Sequence, residues 1–238
     1  PYHNRGIAYH ETKKYPEAIT IINRRLALMP NDLSLLCQLG TIYVRNAEDA
    51  KGFAVWERAI LLDSTSEVTY TIVANSMMDV RLFERAIETY KRGRRASNKD
   101  KLYITDLAFL YGSTMNYADA TAEYLKLVRE NPAQLGFVQS RMAAYTKRDD
   151  GLKAATESVE QITKEQSENL ALSQLLAWLY MEGKHYDKAF DVYKFIDKKT
   201  NAGGRDILNF SERAFRDKSF MIASQAYLEV VGSHPKFI

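Results

Sequence analysis

The sequence predicts an all-α protein built from a tandem series of helix pairs, and three observations support this class. Small residues recur at a nearly constant spacing along the whole 238-residue chain. Large apolar residues stand three or four positions away from them, which is the spacing of an amphipathic helix. Prolines (Pro30, Pro132 and Pro235) close three of the segments. A regular period of this length is typical of proteins in which each helix pair buries its apolar face on the next pair.

The period is 34 residues, with a single step of 35 between the fifth and sixth repeats. Small residues carry it most clearly, at Ala18, Gly52, Ala86, Ala120, Ala154, Ala189 and Ala223. Three further series, which begin at Gly6, Tyr9 and Ile22, follow the same steps. Because independent series share both the period and the slip, we predict seven repeats, with the approximate boundaries 1–32, 33–66, 67–100, 101–134, 135–168, 170–203 and 204–237.

Each repeat contains two helical stretches. The first helix of the second repeat is LSLLCQLGTIYVRN, in which Leu36, Leu39 and Tyr43 share one face. The second helix of the third repeat is FERAIETYKRGRRA, with Ala86 and Tyr90 on one face. Two packed helices approach closely only where their facing side chains are small. The Gly or Ala in the middle of each helix therefore marks the predicted crossing point.

The fifth repeat departs most from this pattern. Met142 takes the place of a small residue, Gly151 and Ser158 take the places of aromatic residues, and Gln166 takes the place of proline. We expect looser packing in this repeat. Between the sixth and seventh repeats, the Gly203-Gly204 pair predicts a turn.

The fourth repeat contains Leu107-Ala108, Tyr111, Tyr117, Ala120, Tyr124 and Pro132 at the positions of a known pattern. In these residues the chain resembles the tetratricopeptide repeat family, and the resemblance extends over essentially its whole length. It implies a right-handed α-solenoid superhelix whose first helices line a concave groove. We expect residues 1–238 to form a single solenoid. The chain begins at Pro1 without a methionine, so we also expect it to be a fragment of a longer protein that lacks its native N-terminus.

Composition narrows the possible functions. Apolar residues make up 46% and charged residues 26% of the chain, and the net charge is only +3. These values are typical of a soluble protein with a substantial core. The single cysteine, Cys37, excludes an intramolecular disulfide and a cysteine-based metal cluster. No phosphate-binding or dinucleotide-binding glycine motif is present. We therefore expect no enzyme activity, no cofactor and no metal site; the sequence leaves the compartment open between cytoplasm and bacterial periplasm.

The resemblance implies a protein partner, either an extended peptide segment or a complex subunit, bound in the groove. The groove positions of the family correspond here to Cys37, Gln38, Thr41, Thr71, Asn75, Thr105, Phe109, Gln139, Gln174, Trp178, Asn209 and Phe215. Amide and hydroxyl groups in this set can bond a peptide backbone, and the aromatic residues either anchor a ligand or pack between helices. Family members that grip acidic chaperone tails place cations in the groove, whereas this chain has His3, Ile7, Gln38, Val68 and Ile72 there. A chaperone-tail carboxylate clamp is therefore not expected.

One basic run stands out, with Lys91, Arg92, Arg94 and Arg95 at the end of a predicted helix. Cations at a helix C-terminus offset the helix dipole, and a docking patch for an acidic partner is the alternative. Two other functions remain open at this point. Helical-repeat proteins can bind nucleic acid, but they need a long basic stripe with exposed aromatic residues, which one run does not provide. An adaptor module attached to a catalytic domain outside the fragment is the other possibility. No segment is long and apolar enough for membrane insertion.

Overall fold

The computed structural model describes residues 14–233, and the regular structure in this range is helical throughout. The prediction of an all-α fold made of successive helix pairs is therefore confirmed. His3, Gly6, Ile7 and Tyr9 of the predicted first helix, together with Pro235, lie outside the described residues. Thirteen α-helices are described: α1 Tyr15–Leu28, α2 Leu33–Arg45, α3 Asp49–Leu62, α4 Glu67–Met78, α5 Phe83–Ala96, α6 Ile104–Ser113, α7 Tyr117–Glu130, α8 Leu135–Thr146, α9 Asp149–Glu165, α10 Leu170–Glu182, α11 Tyr186–Thr200, α12 Arg205–Arg216 and α13 Phe220–Ser233.

The turns inside the repeats are short and share one backbone conformation. In the second, third, sixth and seventh repeats, a backbone N–H three or four residues past the end of the first helix donates to a carbonyl in the last turn of that helix, as Glu48 does to Tyr43 at 2.8 Å. The residue before that donor has a positive φ, and these residues are Ala47, Arg81, Lys184 and Lys218. This left-handed helix cap reverses the chain within a few residues. It therefore sets the rotation of the second helix relative to the first.

The chain divides into two compact units, which we call unit 1 (Pro1–Thr114) and unit 2 (Met115–Ile238). The boundary falls in the turn between α6 and α7, inside the predicted fourth repeat. A single continuous solenoid over residues 1–238 remains a prediction.

The core of unit 1 is centred on large aromatic residues that pack against glycine. Trp56, Tyr70 and Tyr90 are almost completely buried. A side chain at Gly40 would collide with the Trp56 indole, and a Cβ at Gly93 would lie 2.6 Å from the Tyr70 ring. The indole Nε1 of Trp56 donates a hydrogen bond to the Cys37 carbonyl at 3.3 Å. The glycines thus provide the space that the aromatic rings fill.

In unit 2, ring pairs and one buried carboxylate join neighbouring helices. The Tyr117 and Tyr145 rings stack 5.4 Å apart, and Phe190 stacks on Phe210 at 5.6 Å. The Asp197 carboxylate is buried and accepts hydrogen bonds from the backbone N–H of Gly204, at 3.0 and 2.8 Å to its two oxygens. It thereby caps the start of α12, and the predicted Gly203-Gly204 turn is present, with positive φ at both glycines.

The fifth repeat is packed differently from the expectation. Met142 is completely buried, and the buried face of α9 consists of Gly151, Ala155 and Val159. The sequence series had assigned that face to Ala154 and Ser158, which are only half-buried. The assignment of these two residues to the packed face is therefore wrong by one residue, which corresponds to about 100° of rotation about the helix axis. The physical reason lies in the turn before α9, where Arg148 is extended and the helix already begins at Asp149.

Candidate partner-binding surface

In unit 1, the predicted groove residues separate into buried and exposed members. Cys37 on α2 is only 3% exposed, and Thr41 is buried with its hydroxyl donating to the Cys37 carbonyl at 3.1 Å. Burial removes both side chains from the accessible surface, so a direct ligand contact by Cys37 or Thr41 is not supported. Gln38, also on α2, is half-buried, and its amide donates to the Ser34 hydroxyl at 3.3 Å.

The next first helix, α4, presents Thr71 and Asn75 one turn apart. Thr71 is half-buried, and its hydroxyl donates its one hydrogen to the Glu67 carbonyl at 3.0 Å. The hydroxyl oxygen can therefore bind a ligand only as a hydrogen-bond acceptor. Asn75 is exposed, and the buried Tyr90 hydroxyl donates to its side-chain oxygen at 3.1 Å. This bond orients the amide so that its NH₂ group, with two donors, is directed away from the tyrosine. The third repeat thus supplies both an acceptor and a donor.

Helix α6 carries an exposed aromatic ring. Phe109 is 55% exposed, whereas Leu107 and Leu110 on the same helix are completely buried. Thr105, one turn earlier, is exposed as well. The alternative that Phe109 packs between helices is therefore excluded. A large apolar side chain held on a rigid helix, with a hydroxyl beside it, is a favourable anchor for a ligand.

Unit 2 presents a similar set on its own first helices. Gln174 on α10 and Asn209 on α12 are exposed, while Gln139 on α8 is half-buried. Trp178, one turn after Gln174, is half-buried. Phe215 on α12 is 55% exposed, and its ring meets Phe220 edge to face at 5.3 Å. Each unit therefore exposes at least one aromatic ring at a predicted groove position.

Burial also determines the chemistry of Cys37. Removal from water raises the pKa of its thiol to about 11, and a hydrogen bond with Ser76 only partly offsets this effect. The thiol stays protonated at neutral pH, and a protonated thiol is a poor nucleophile. Among the described residues, no group of three or more His, Cys, Asp or Glu side chains is arranged to hold a metal ion. The helices of residues 14–233 are all too short or too polar to cross a membrane.

The basic run at the end of α5 is largely occupied by contacts within the protein. Arg92 pairs with Glu57 of the preceding repeat, with its Nη1 at 2.9 and 2.7 Å from the two carboxylate oxygens. Arg94 donates from Nε and Nη2 to the Leu102 carbonyl at 2.9 and 2.7 Å. Lys91 pairs with Glu88 at 2.8 Å. These bonds tie α5 to its neighbours, so a structural role has direct support and docking at this run stays a prediction.

Sequence reasoning missed a second exposed apolar area, at the ends of the second helices in unit 1. Leu28 is the last residue of α1 and Met29 follows it, and Leu61 and Leu62 end α3; all four are exposed. The signal was present in the repeat itself. Leu28 and Leu62 are one period apart, and the corresponding residues two and three repeats further on are Glu130 and Lys164.

Comparisons with known proteins give partial matches. No family model matches the chain. The BBSome complex member BBS4 of Xenopus tropicalis is 26% identical over 129 residues, and that of Bos taurus is 24% identical over 129 residues. Each match covers 54% of this chain and 25% of the relative, so the similarity spans about a quarter of the length of these curated relatives.

The chain also matches solved structures at low sequence identity. The Naa15/Naa10 complex bound to HypK-THB contains a chain with a TM-score of 0.44 and 17% identity, covering 98% of this chain and 37% of that one. A tetratricopeptide repeat protein from Parabacteroides merdae has a TM-score of 0.41 and 14% identity, covering 98% and 91%. MamA has a TM-score of 0.38 and 21% identity, covering 68% and 96%.

The sequence period and the described helices agree with one another. Pairs of helices recur with the 34-residue spacing, and a left-handed cap closes four of the turns within them. Small residues lie at the closest helix contacts, most clearly at Gly40 and Gly52. The fold is a tandem series of α-helix pairs, which is the arrangement that the resemblance to the tetratricopeptide repeat family implies.

Proposed function

We propose that this chain is a non-catalytic scaffold that binds an extended peptide segment of a partner protein across helices α4 and α6 of unit 1. The observation that carries the proposal is Phe109, a ring that is 55% exposed on a rigid helix whose neighbouring apolar residues are buried. The buried face of this helix is supplied by Leu107, Ala108 and Leu110, and Phe109 is not part of it. An exposed apolar ring of this kind is typical of a surface that binds a partner.

The polar residues beside Phe109 define the class of ligand. Asn75 offers two N–H donors, Thr71 offers an acceptor, and Thr105 offers a hydroxyl. A peptide backbone presents alternating donors and acceptors, so it matches this set without requiring charge. The ligand is therefore a neutral or mildly apolar segment whose binding depends only weakly on salt. Gln174 and Trp178 in unit 2 provide a comparable but separate surface.

Two further observations support a protein partner. The BBS4 relatives are named as members of a multi-protein complex, which suggests assembly with other proteins for the matched part of this chain as well. The rival class, nucleic-acid binding, is less well supported because three of the four cations in the basic run already have partners within the protein. Absence of catalysis is part of the proposal and rests on the neutral, buried state of Cys37.

A peptide selection tests the proposal. A random peptide library displayed on phage is selected on the wild-type protein and counter-selected on Phe109→Ala. Enriched peptides are expected to be neutral and to contain an apolar residue. Their affinity, measured by calorimetry, should fall by about 2 kcal/mol or more in Phe109→Ala, because anchor residues commonly contribute this much.

The matched control is Leu61→Ala, which removes an exposed apolar side chain elsewhere in unit 1. It should leave the affinity of these peptides unchanged. A selection that enriches no peptide binding the wild-type protein more tightly than Phe109→Ala would overturn the assignment of the α4–α6 surface. Equal loss in both variants would indicate non-specific apolar binding.

A further inference from the structure

Exposed apolar residues end both α1 and α3, and we call them, with two arginines of the same helices, the leucine rim (Arg24, Leu28, Met29, Arg58, Leu61 and Leu62). A hydrogen bond brings its two parts together. The Arg58 guanidinium on α3 donates to the Pro30 carbonyl at 2.5 Å, directly beside Met29. Leu61 and Leu62 stand one helical turn after Arg58, so they lie on the same side of α3 as that contact.

The apolar side chains of the rim are highly exposed. Leu28 is 85% and Leu61 is 65% exposed, and Met29 and Leu62 are exposed as well. The fold does not require leucine at these places, because the residues at the same repeat position as Leu28 and Leu62 are Glu130 and Lys164 in later repeats. A cluster of apolar groups that folding leaves unused is typical of an interaction surface.

The charges on the rim are uniformly positive. Arg24 and Arg58 are exposed, and neither forms an ion pair with a carboxylate within residues 14–233. The nearby carboxylates are occupied elsewhere. Glu57 pairs with Arg92, and Asp63 accepts hydrogen bonds from the backbone N–H groups of Thr65 and Ser66, both at 3.1 Å. The rim therefore offers two uncompensated cations beside four apolar side chains.

We propose that the leucine rim is a docking site for an acidic amphipathic helix of a partner protein, with apolar side chains flanked by carboxylates. Apolar contact with the rim leucines supplies the affinity, and the carboxylates pair with Arg24 and Arg58. An anionic membrane is the other ligand of this general chemistry. Membrane recognition by charge uses clusters of about four to eight basic residues, and the rim has two. The proposal concerns a surface separate from Phe109 and stands independently of the proposed function.

The test uses short fluorescein-labelled helical peptides with leucine at spacings of three and four and with Glu, Gln or Lys at all flanking positions. Binding to the wild-type protein is followed by fluorescence anisotropy. The Glu peptide is expected to bind at least about tenfold more tightly than the Lys peptide. Raising NaCl from about 50 to about 500 mM should remove most of that preference.

Two variants locate the site. Leu28→Gln/Leu62→Gln should weaken binding of the Glu peptide by about tenfold or more while leaving the melting temperature unchanged, because polar residues occupy these positions in other repeats. Arg24→Glu should reduce or reverse the preference for the Glu peptide. Since Arg24 makes no bond to another described residue, this change does not disturb folding. Phe109→Ala is the control and should leave binding of the Glu peptide intact.

Four outcomes would overturn the proposal. The first is equal binding of the Glu and Lys peptides, and the second is no binding of the Glu peptide at all. The third is binding of the Glu peptide that persists unchanged in both variants. The fourth is co-sedimentation of the protein with phosphatidylserine-containing vesicles through the same residues, without binding of the Glu peptide, which would assign the rim to membranes.

Discussion

The helix pairs α2–α3 and α8–α9 follow the same sequence plan but pack in different ways. In the first pair, a Cβ added to Gly52 would lie 2.8 Å from the Gly40 carbonyl oxygen, so the two backbones nearly touch. In the second pair, the completely buried Met142 stands at the position of Gly40, and α9 packs mainly against α7 and α10. With the large Met142 at the crossing point, α9 thus packs mainly against α7 and α10 instead of closely against α8.

The turns explain the rotation of α9. The turn after α2 has a left-handed residue, Ala47, and a hydrogen bond from Glu48 N–H to the Tyr43 carbonyl. The turn after α8 has neither, because Arg148 is extended at a φ of −100° and α9 already begins at Asp149. Gly151 then lies directly against the Tyr145 carbonyl. The turn geometry, rather than the spacing of small residues, sets which face of the second helix is buried.

Met142→Ala has the largest expected effect. It tests whether a small residue is preferred at the α8–α9 crossing point or whether the large buried residue is part of the packing there. If the small residue were the preferred solution at every crossing point, the variant would be stabilised. The structure predicts the opposite, since removal of a completely buried methionine side chain costs about 2–5 kcal/mol. Chemical denaturation followed by circular dichroism measures the change, and any gain in the free energy of unfolding would contradict the packing described for α8–α9.

Cysteine labelling tests the rotated face of α9 residue by residue. In a Cys37→Ser background, Val159→Cys should react slowly with a thiol reagent, and Ser158→Cys should react readily. Cys37 of the wild-type protein provides a slow reference for these reactions. Its pKa of about 11, against the usual 9.0, leaves about a hundredfold less reactive thiolate at neutral pH than an exposed cysteine has. Because the raised pKa belongs to the folded state, thiolate formation above pH 9 favours unfolding of unit 1. Faster labelling at residue 159 than at residue 158 would restore the face assigned from the sequence.

Gly52→Ala tests the close approach in α2–α3. The added methyl group would lie 2.6 Å from Val44 Cγ2 and 2.8 Å from a backbone oxygen, so one helix must shift, at a cost of about 1–3 kcal/mol. Gly136→Ala in α8 is the matched control, since its Cβ meets nothing within 4 Å. The control should be neutral or stabilising by up to about 1 kcal/mol because alanine favours helix. Equal effects of the two substitutions on the melting temperature would be inconsistent with backbone contact at Gly52.

The smallest expected effect concerns the left-handed turn. Lys184 and Lys218 both have φ near +60°, a conformation that costs about 1 kcal/mol for residues other than glycine. Replacing either with Gly should raise the free energy of unfolding by up to about 1 kcal/mol. Arg148→Gly, in the extended turn before α9, should lower it instead. Thermal unfolding of the three variants compares the two kinds of turn directly, and a gain at Arg148 would refute the difference.

Much of the fold followed from the sequence because the period repeats a physical requirement. Small residues at the positions of Gly40 and Gly52, and a large residue at the position of Trp56, recur with the same spacing in most repeats. This pattern is explained by close contact between the two helices of each pair. The rotation of α9 could not be predicted in this way, because it depends on the backbone at Arg148, where no glycine or proline signals a change. Spacing alone also could not separate Cys37, which is buried, from Phe109, which is exposed. Both occupy groove positions of the family, and only the packing around them distinguishes the two.

The most direct test of the proposed scaffold function is a titration of the isotope-labelled protein with a selected peptide, followed in amide-resolved NMR spectra. The Asn75 side-chain NH₂ signal, assigned by its loss in Asn75→Asp, reports on the donor beside the buried Tyr90 hydroxyl. The account predicts that this signal and the backbone amides around Thr105 and Phe109 shift together with one affinity, while amides around Lys91 do not. Unchanged Asn75 and Phe109 signals at saturating peptide would contradict binding on the α4–α6 surface.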